Sequence, residues 1–224
     1  MPTDVPVLVV GPNDLVTTSV GTALSARGFA VHAWTGAGPL PAPPARGGVA
    51  VVNLDVPDPA ERVSYAVVAG WSVLVLGRAS EPERTAAAVA AGAHAQLSRR
   101  APLDALVHEV AELREGRPGM TEDQRAAWMA VHHRVLLDVD AGRRRLDLLT
   151  DREFEVLQRM ERGQKAAEIS AEARVAMSTV RSHIRSILTK LEVNSQQRAV
   201  ELYRDTRRHA RRTRTGVEDL VPGR

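Results

Sequence analysis

The chain has 224 residues, a formal net charge of +3 and 44% hydrophobic residues. That length suits one large domain or two small ones, and the apolar share excludes wholesale disorder. There is no cysteine, which excludes a disulfide scaffold, thiolate zinc and cysteine nucleophiles, and suits a reducing cytoplasm. No apolar run reaches the roughly 18 residues of a membrane span; the longest, 63–77, is broken by Ser64, Tyr65, Gly70 and Ser72. The opening MPTDVPVLVV lacks a basic n-region, so no secretion signal is expected. All basic residues but Lys165 and Lys190 are arginine, and they are unevenly placed. Residues 1–145 are net −1, whereas 165–214 hold 12 basic against 5 acidic side chains. The positive end of the chain is its C-terminal part.

The first third alternates short apolar runs with helical patterns. Strands are predicted over 5–10, 30–34, 49–54, 72–76 and 95–98. Helices are predicted over 14–26, where Leu15, Val16, Val20, Ala23 and Leu24 share a face before Gly28, and over about 59–69, 81–91 and 102–115. The apolar strands read as buried on both faces. This predicts an α/β domain of flavodoxin-like type, a five-stranded parallel sheet built from βα repeats. Between the second and third strands, the segment TGAGPLPAPPARGG (35–48) predicts a helix that is very short or absent, and a thinly covered sheet face there.

A break at 117–120 precedes Thr121-x-x-Gln124, a capping-box pattern, and a helix to about Val139. DAGRRR (140–145) reads as a second break. Thr150-x-x-Glu153 opens a helix ending before Gly163. A short helix follows at about 165–173, a third at 177–191, and a fourth from near Ser195. The arginine-rich stretch from Arg207 is expected to fray. The expected organisation is an α/β domain at 1–116, a helical linker at 117–147, an all-α four-helix domain at 148–205 and a basic flexible tail at 206–224.

The helix 177–191, MSTVRSHIRSILTKL, carries the most information. Val180, Ile184, Ile187, Leu188 and Leu191 form one apolar stripe, and Ser178, Arg181, Ser182, Arg185 and Thr189 form the other face. A helix with a packed back and an Arg/Ser front can enter a major groove, where arginine bridges guanine O6 and N7. The segment 149–200 closely resembles the LuxR/NarL-type helix-turn-helix. The resemblance is carried by Leu149-Thr150-x-Arg152-Glu153, Val156-Leu157, Gly163, Glu168-Ile169, Thr179-Val180-Arg181-x-His183, Ile187, Lys190-Leu191 and Val193. It implies that Lys165 and Thr179 sit near phosphates, that Arg181, Ser182 and Arg185 face bases, and that Lys190, Asn194 and Ser195 hold the DNA backbone; Ser178, on the same face, is counted among the DNA-binding residues. Val156, Leu157, Val180, Ile184 and Leu188 read as core, and His183 as a packed histidine. Three positions depart from the pattern: Ala176 at the helix cap, Glu192 where glycine is common, and Gln164 in place of a capping serine. A lost cap costs about 0.5–2 kcal/mol.

The front half resembles the receiver of a NarL/FixJ-type response regulator, through VLVVGPNDLV, VVNLDVP, VLVLGRAS and GAHAQLSRRAPLDAL in that order. The resemblance implies an acidic pair, a nucleophilic aspartate, a hydroxyl, an aromatic and a lysine. Those positions hold Gly11 and Pro12, Asn53, Gly77, Gln96 and Arg99. A carboxamide is a far poorer nucleophile than a carboxylate, and Mg²⁺ prefers anionic oxygen ligands. The reading is therefore an atypical, phosphorylation-deficient receiver. The alternative is phosphorylation on Asp55, two residues on and facing the same side.

No HExxH, GxSxG, P-loop or GxGxxG occurs, the adjacent His132 and His133 diverge by about 100° on a helix, and only seven residues are aromatic. No enzyme activity, metal or cofactor is expected. The expected function is a cytoplasmic, sequence-specific regulator of transcription that binds promoter duplex DNA as a homodimer. It would be controlled by dimerisation, by a partner protein, or by a small-molecule ligand in the crevice near Gly11, Asn53 and Gly77. A helix-turn-helix kept only as a protein-docking surface is the third reading. It predicts DNA binding that is absent or indifferent to Arg181 and Arg185.

Overall fold

The computed structural model describes residues 6–35, 40–44 and 47–218, with the side chains of 210–218 excepted. The chain divides into two units, Met1–Arg134 and Val135–Arg224.

The first unit is built on β1 (Val7–Val10), β2 (Val31–Trp34), β3 (Val49–Asn53), β4 (Ser72–Gly77) and β5 (Ala95–Ser98). All pair in parallel in the order β2-β1-β3-β4-β5, the doubly wound order expected of a flavodoxin-like sheet. β1 and β3 are buried at every position, which explains their unbroken valine-rich sequences. Alternate residues feed opposite faces. Leu8, Val10, Ala50, Val52, Val73 and Val75 pack with Val63 and Ala66 of α2 (Pro59–Val68) and Ala88 of α3 (Pro82–Ala90). Val7, Val9, Val49, Val51 and Leu74 pack with Leu24 of α1 (Leu15–Ala26) and with Leu106, Val110 and Leu113 of α4 (Leu103–Arg114).

Among the described residues, no helix lies between β2 and β3, as the prolines predict. The segment nevertheless covers the sheet. Leu40 packs on the α2–α3 side core, and the Trp71 indole donates from Nε1 to the Pro41 carbonyl at 2.9 Å. The thin cover expected there is partly made good by this strap. Residues 36–39 and 45–46 lie outside the described residues.

α5 (Glu122–Leu146) opens with the Thr121/Gln124 capping box. The Gln124 amide donates to Thr121 Oγ1 at 3.2 Å, and the Thr121 amide donates to Gln124 Oε1 at 2.9 Å. The helix does not break at DAGRRR; it runs through to Leu146. Alanine and arginine are good helix formers. Gly142 is buried, and a Cβ there would come within 3.1 Å of Thr206 Oγ1 and 3.6 Å of Leu202. Glycine at this point serves close helix approach rather than termination.

The second unit's bundle comprises α6 (Asp151–Glu161), α7 (Ala166–Ala173), α8 (Met177–Lys190) and α9 (Gln196–Glu218). Its core holds Val156, Leu157, Ile169, Val180, Ile187 and Leu191. Phe154 and Tyr203 meet edge to face, 5.6 Å between centroids. α9 continues to Glu218 through the arginine-rich stretch that the sequence reading assigned to a fraying tail; residues 219–224 lie outside the described residues.

Candidate nucleic-acid interface

α8 forms because one side of MSTVRSHIRSILTK is apolar. Val180, Ile184 and Ile187 are buried, Leu188 and His183 are half-buried, and Leu191 closes the helix from its buried C-cap. Ser178, Thr179, Arg181, Ser182 and Arg185 are all exposed on the other side. Ala176 is the N-cap and its side chain gives no capping bond. Ser178 does not substitute for it, since the helix already begins at Met177.

The remaining predicted residues differ in their surroundings. Lys165 is exposed at the N-cap of α7, with its amide donating to Glu168 Oε2 at 2.7 Å. Asn194 is exposed. Ser195 caps α9, its Oγ accepting from the Arg198 amide at 3.2 Å. Lys190 is half-buried, and its Nζ donates to Glu153 Oε2 at 2.7 Å. Arg185, Leu188, Thr189, Glu192, Val193, Asn194 and Arg198 line a shallow groove at the C-terminal end of α8.

Glu153 is the residue whose importance the sequence understated. It is 5% exposed. It closes the α6 capping box with Thr150, and it accepts from Ser186 Oγ at 2.6 Å and from Lys190. Burial pushes its carboxyl up, but the donors Lys190, Ser186 and Thr150 outweigh that and hold it at about 2. The capping pattern marked one role of Glu153. The other was visible only as Ser186 and Lys190 spaced by four residues on one helix line. Glu192 stands in the left-handed region (φ 56°) at the end of α8, and pairs with Arg145 at 2.8 Å. Gln164 donates from Nε2 to Glu172 at 2.7 Å.

In the first unit, the positions compared with a receiver converge at the C-terminal ends of β1, β3, β4 and β5. Asn53 is 2% exposed; its Nδ2 donates to Thr17 Oγ1 at 3.4 Å, and its Oδ1 accepts from the Asp55 amide at 3.2 Å. A Cβ on Gly11 would overlap Thr17 Oγ1, and one on Gly77 would overlap Thr85 Oγ1. Both threonines are buried. Beside Gly11 and Gly77, in the region where a crevice is expected, the space is thus taken by the Thr17 and Thr85 side chains. Pro12 and Gln96 are half-buried. Arg99 and Arg78 both pair with Asp55, Arg78 at 2.9 Å, and the Arg84 guanidinium donates to the carbonyls of Leu54 and Val56. Asp14 caps α1 by accepting from the Thr17 amide at 2.8 Å, and that bond lowers its pKa. Among the described residues, no group of three His, Asp or Glu side chains could hold a metal ion, and no helix is long and apolar enough to cross a membrane.

Fold and surface together define a five-stranded doubly wound unit followed by a helix-turn-helix bundle with an arginine-bearing helix face. Residues 147–203 match the family model of bacterial regulatory proteins, luxR family, so this segment is a LuxR-type helix-turn-helix domain. Over 113 residues the chain is 29% identical to the nitrate/nitrite response regulator protein homolog of Haemophilus influenzae, a match covering 50% of each. Over 54 residues it is 37% identical to response regulator protein VraR of Staphylococcus aureus, covering 24% of this chain and 26% of the relative. The chain therefore spans about half the length, or less, of these curated relatives. Among solved structures it is similar to response regulator ChrA of a heme-sensing two component system (23% identity, TM-score 0.46, 91% and 98% of the two chains). It is also similar to a structure of two RcsB dimers bound to two parallel DNAs (17%, 0.44, 91% and 99%).

Proposed function

We propose that the chain is a sequence-specific, double-stranded-DNA-binding regulator of transcription, acting as a homodimer on paired half-sites in the cytoplasm. In this reading its α/β unit works without aspartyl phosphorylation. The observation that carries the DNA reading is the exposed α8 face with Arg181 and Arg185 one turn apart, on a bundle that matches the luxR family. Arg181, Ser182 and Arg185 read bases, Ser178 and Thr179 approach the groove edge, and Lys165, Asn194 and Ser195 contact phosphates. The test is selection of duplexes from a random library by the purified chain. A recovered motif with two half-sites supports the reading, and recovery of no motif at modest salt removes it.

Independence from phosphorylation is supported by the packing at the strand ends. The acceptor position is an amide, and Thr17 and Thr85 occupy the space that side chains at 11 and 77 would need. Asp55 is engaged by two guanidinium groups. The same filling favours control through dimerisation or a protein partner over a small molecule lodged in that crevice. Incubation with acetyl phosphate and Mg²⁺ should add no phosphoryl group by intact-mass measurement. A gain of one phosphoryl mass that disappears in Asp55→Asn would establish the alternative.

A further inference from the structure

α5 has two faces. Trp128, His132, Val135 and Val139 are half-buried along one of them, in line with buried Gly142. The other is exposed throughout: Ala126, Met129, Ala130, His133, Leu136 and Leu137. Met129, Leu136 and Leu137 keep 42%, 47% and 53% of their surface open. The spacing of 126, 129, 133 and 136 is the three-four alternation of a helix-pairing seam. A run of large apolar side chains this open is uncommon on a helix with nothing to cover it.

The charges on α5 indicate what covers it. The first turn holds Glu122 and Asp123, and the last holds Arg143, Arg144 and Arg145. Arg144 pairs with Asp140 and Arg145 with Glu192, while Arg143 is exposed. A helix of 25 residues spans about 37 Å at 1.5 Å per residue. That is several Debye lengths of about 8 Å, so its two ends act as separate charges. A second α5 laid antiparallel sets acidic end on basic end twice over; a parallel one sets like on like. A two-fold axis between His132 and His133 places Met129 against Leu136 of the second copy, and Glu122 against its Arg143. About that point Met129 with Leu136 and Glu122 with Arg143 are complementary in kind, as an isologous contact requires.

We propose that the exposed face of α5 is a homodimer seam, pairing antiparallel with the same face of a second copy. The inference rests on the homodimer reading above and specifies its surface. The test uses the full chain, whose lack of cysteine lets single cysteines report unambiguously. Sedimentation should show a dimer for the unmodified chain and at least tenfold weaker association for Leu136→Asp, with an unchanged circular-dichroism melt. Under copper–phenanthroline oxidation, His133→Cys should link to itself. Glu122→Cys should link only when mixed with Arg143→Cys. Self-linking by Glu122→Cys as strong as that of His133→Cys overturns the antiparallel seam. A dimer that survives Leu136→Asp and never links through these positions overturns the inference while leaving the dimer intact. A chain monomeric with and without its selected duplex overturns both.

Discussion

The ammonium of Lys190 lies 2.7 Å from a carboxylate oxygen of Glu153, thirty-seven residues away and almost wholly buried. The pair joins the end of α8 to the start of α6. Ser186, one turn earlier on α8, bonds the other carboxylate oxygen. Two points on one helix line fix its rotation, and with it the direction in which Arg181 and Arg185 project. A residue expected to hold a phosphate therefore has a second task, inside the domain.

Lys190→Ala should lower stability by about 2–3 kcal/mol, because it leaves a buried carboxylate short of its cation. Denaturant titration of the chain checks this. Glu153→Gln with Lys190→Met should recover much of the loss, and a double-mutant cycle gives the coupling. A Lys190→Ala variant of unaltered stability but lower salt dependence of DNA binding would return Lys190 to a pure phosphate contact.

Arg181→Ala and Arg185→Ala should each weaken binding to the selected duplex by about 1–3 kcal/mol and relax base preference at one position. Melting temperature should stay put, because both side chains are exposed. Equal loss on all sequences would make them backbone contacts.

Acid should weaken the two units in different windows. Burial, aided by the Arg125 charge, lowers the His94 pKa, and its Nδ1 accepts from the Val73 amide at 3.1 Å. The fold thus favours the neutral ring. That stability is present above the unfolded value of 6.5 and is lost as pH falls below it. Glu153 is held near 2 against an ordinary 4.5, so its contribution persists above 4.5 and falls away between there and 2. The loss is on the order of 2 kcal/mol after allowance for solvent screening. Melts between pH 7 and 3 should show the first unit softening first, with His94→Gln removing the earlier phase.

Gly77→Ala should cost about 1–3 kcal/mol through overlap with Thr85. Thr85→Ala in the same chain should restore part of that. Thermal melts of the single and double variants measure the coupling, and additive losses would show the two side chains to be independent.

Much of the fold was legible in the sequence. The valine runs gave the parallel strands, Asp14 and Thr150 marked helix starts, and the prolines of 35–48 excluded a helix. What stayed hidden depended on partners distant in sequence. DAGRRR reads as a break until Leu202 and Thr206 are seen against Gly142. The arginines after 207 read as a tail, yet their backbone continues α9. On the candidate interface, periodicity separated the exposed face of α8 from its core. The link from Lys190 to Glu153 could not be seen from either residue's neighbours. Likewise, Gly11 and Gly77 read only as missing side chains, whereas the structure packs each against the hydroxyl of a threonine on the following helix.

That packing ties each glycine to the size of its threonine. A carboxylate side chain placed at position 11 would collide with Thr17, and a hydroxyl side chain placed at position 77 would collide with Thr85. Shrinking either threonine first would open a hole beneath a buried strand end. Positions 11 and 17, and likewise 77 and 85, are therefore coupled: a larger side chain at either glycine is tolerated only together with a smaller one at its threonine.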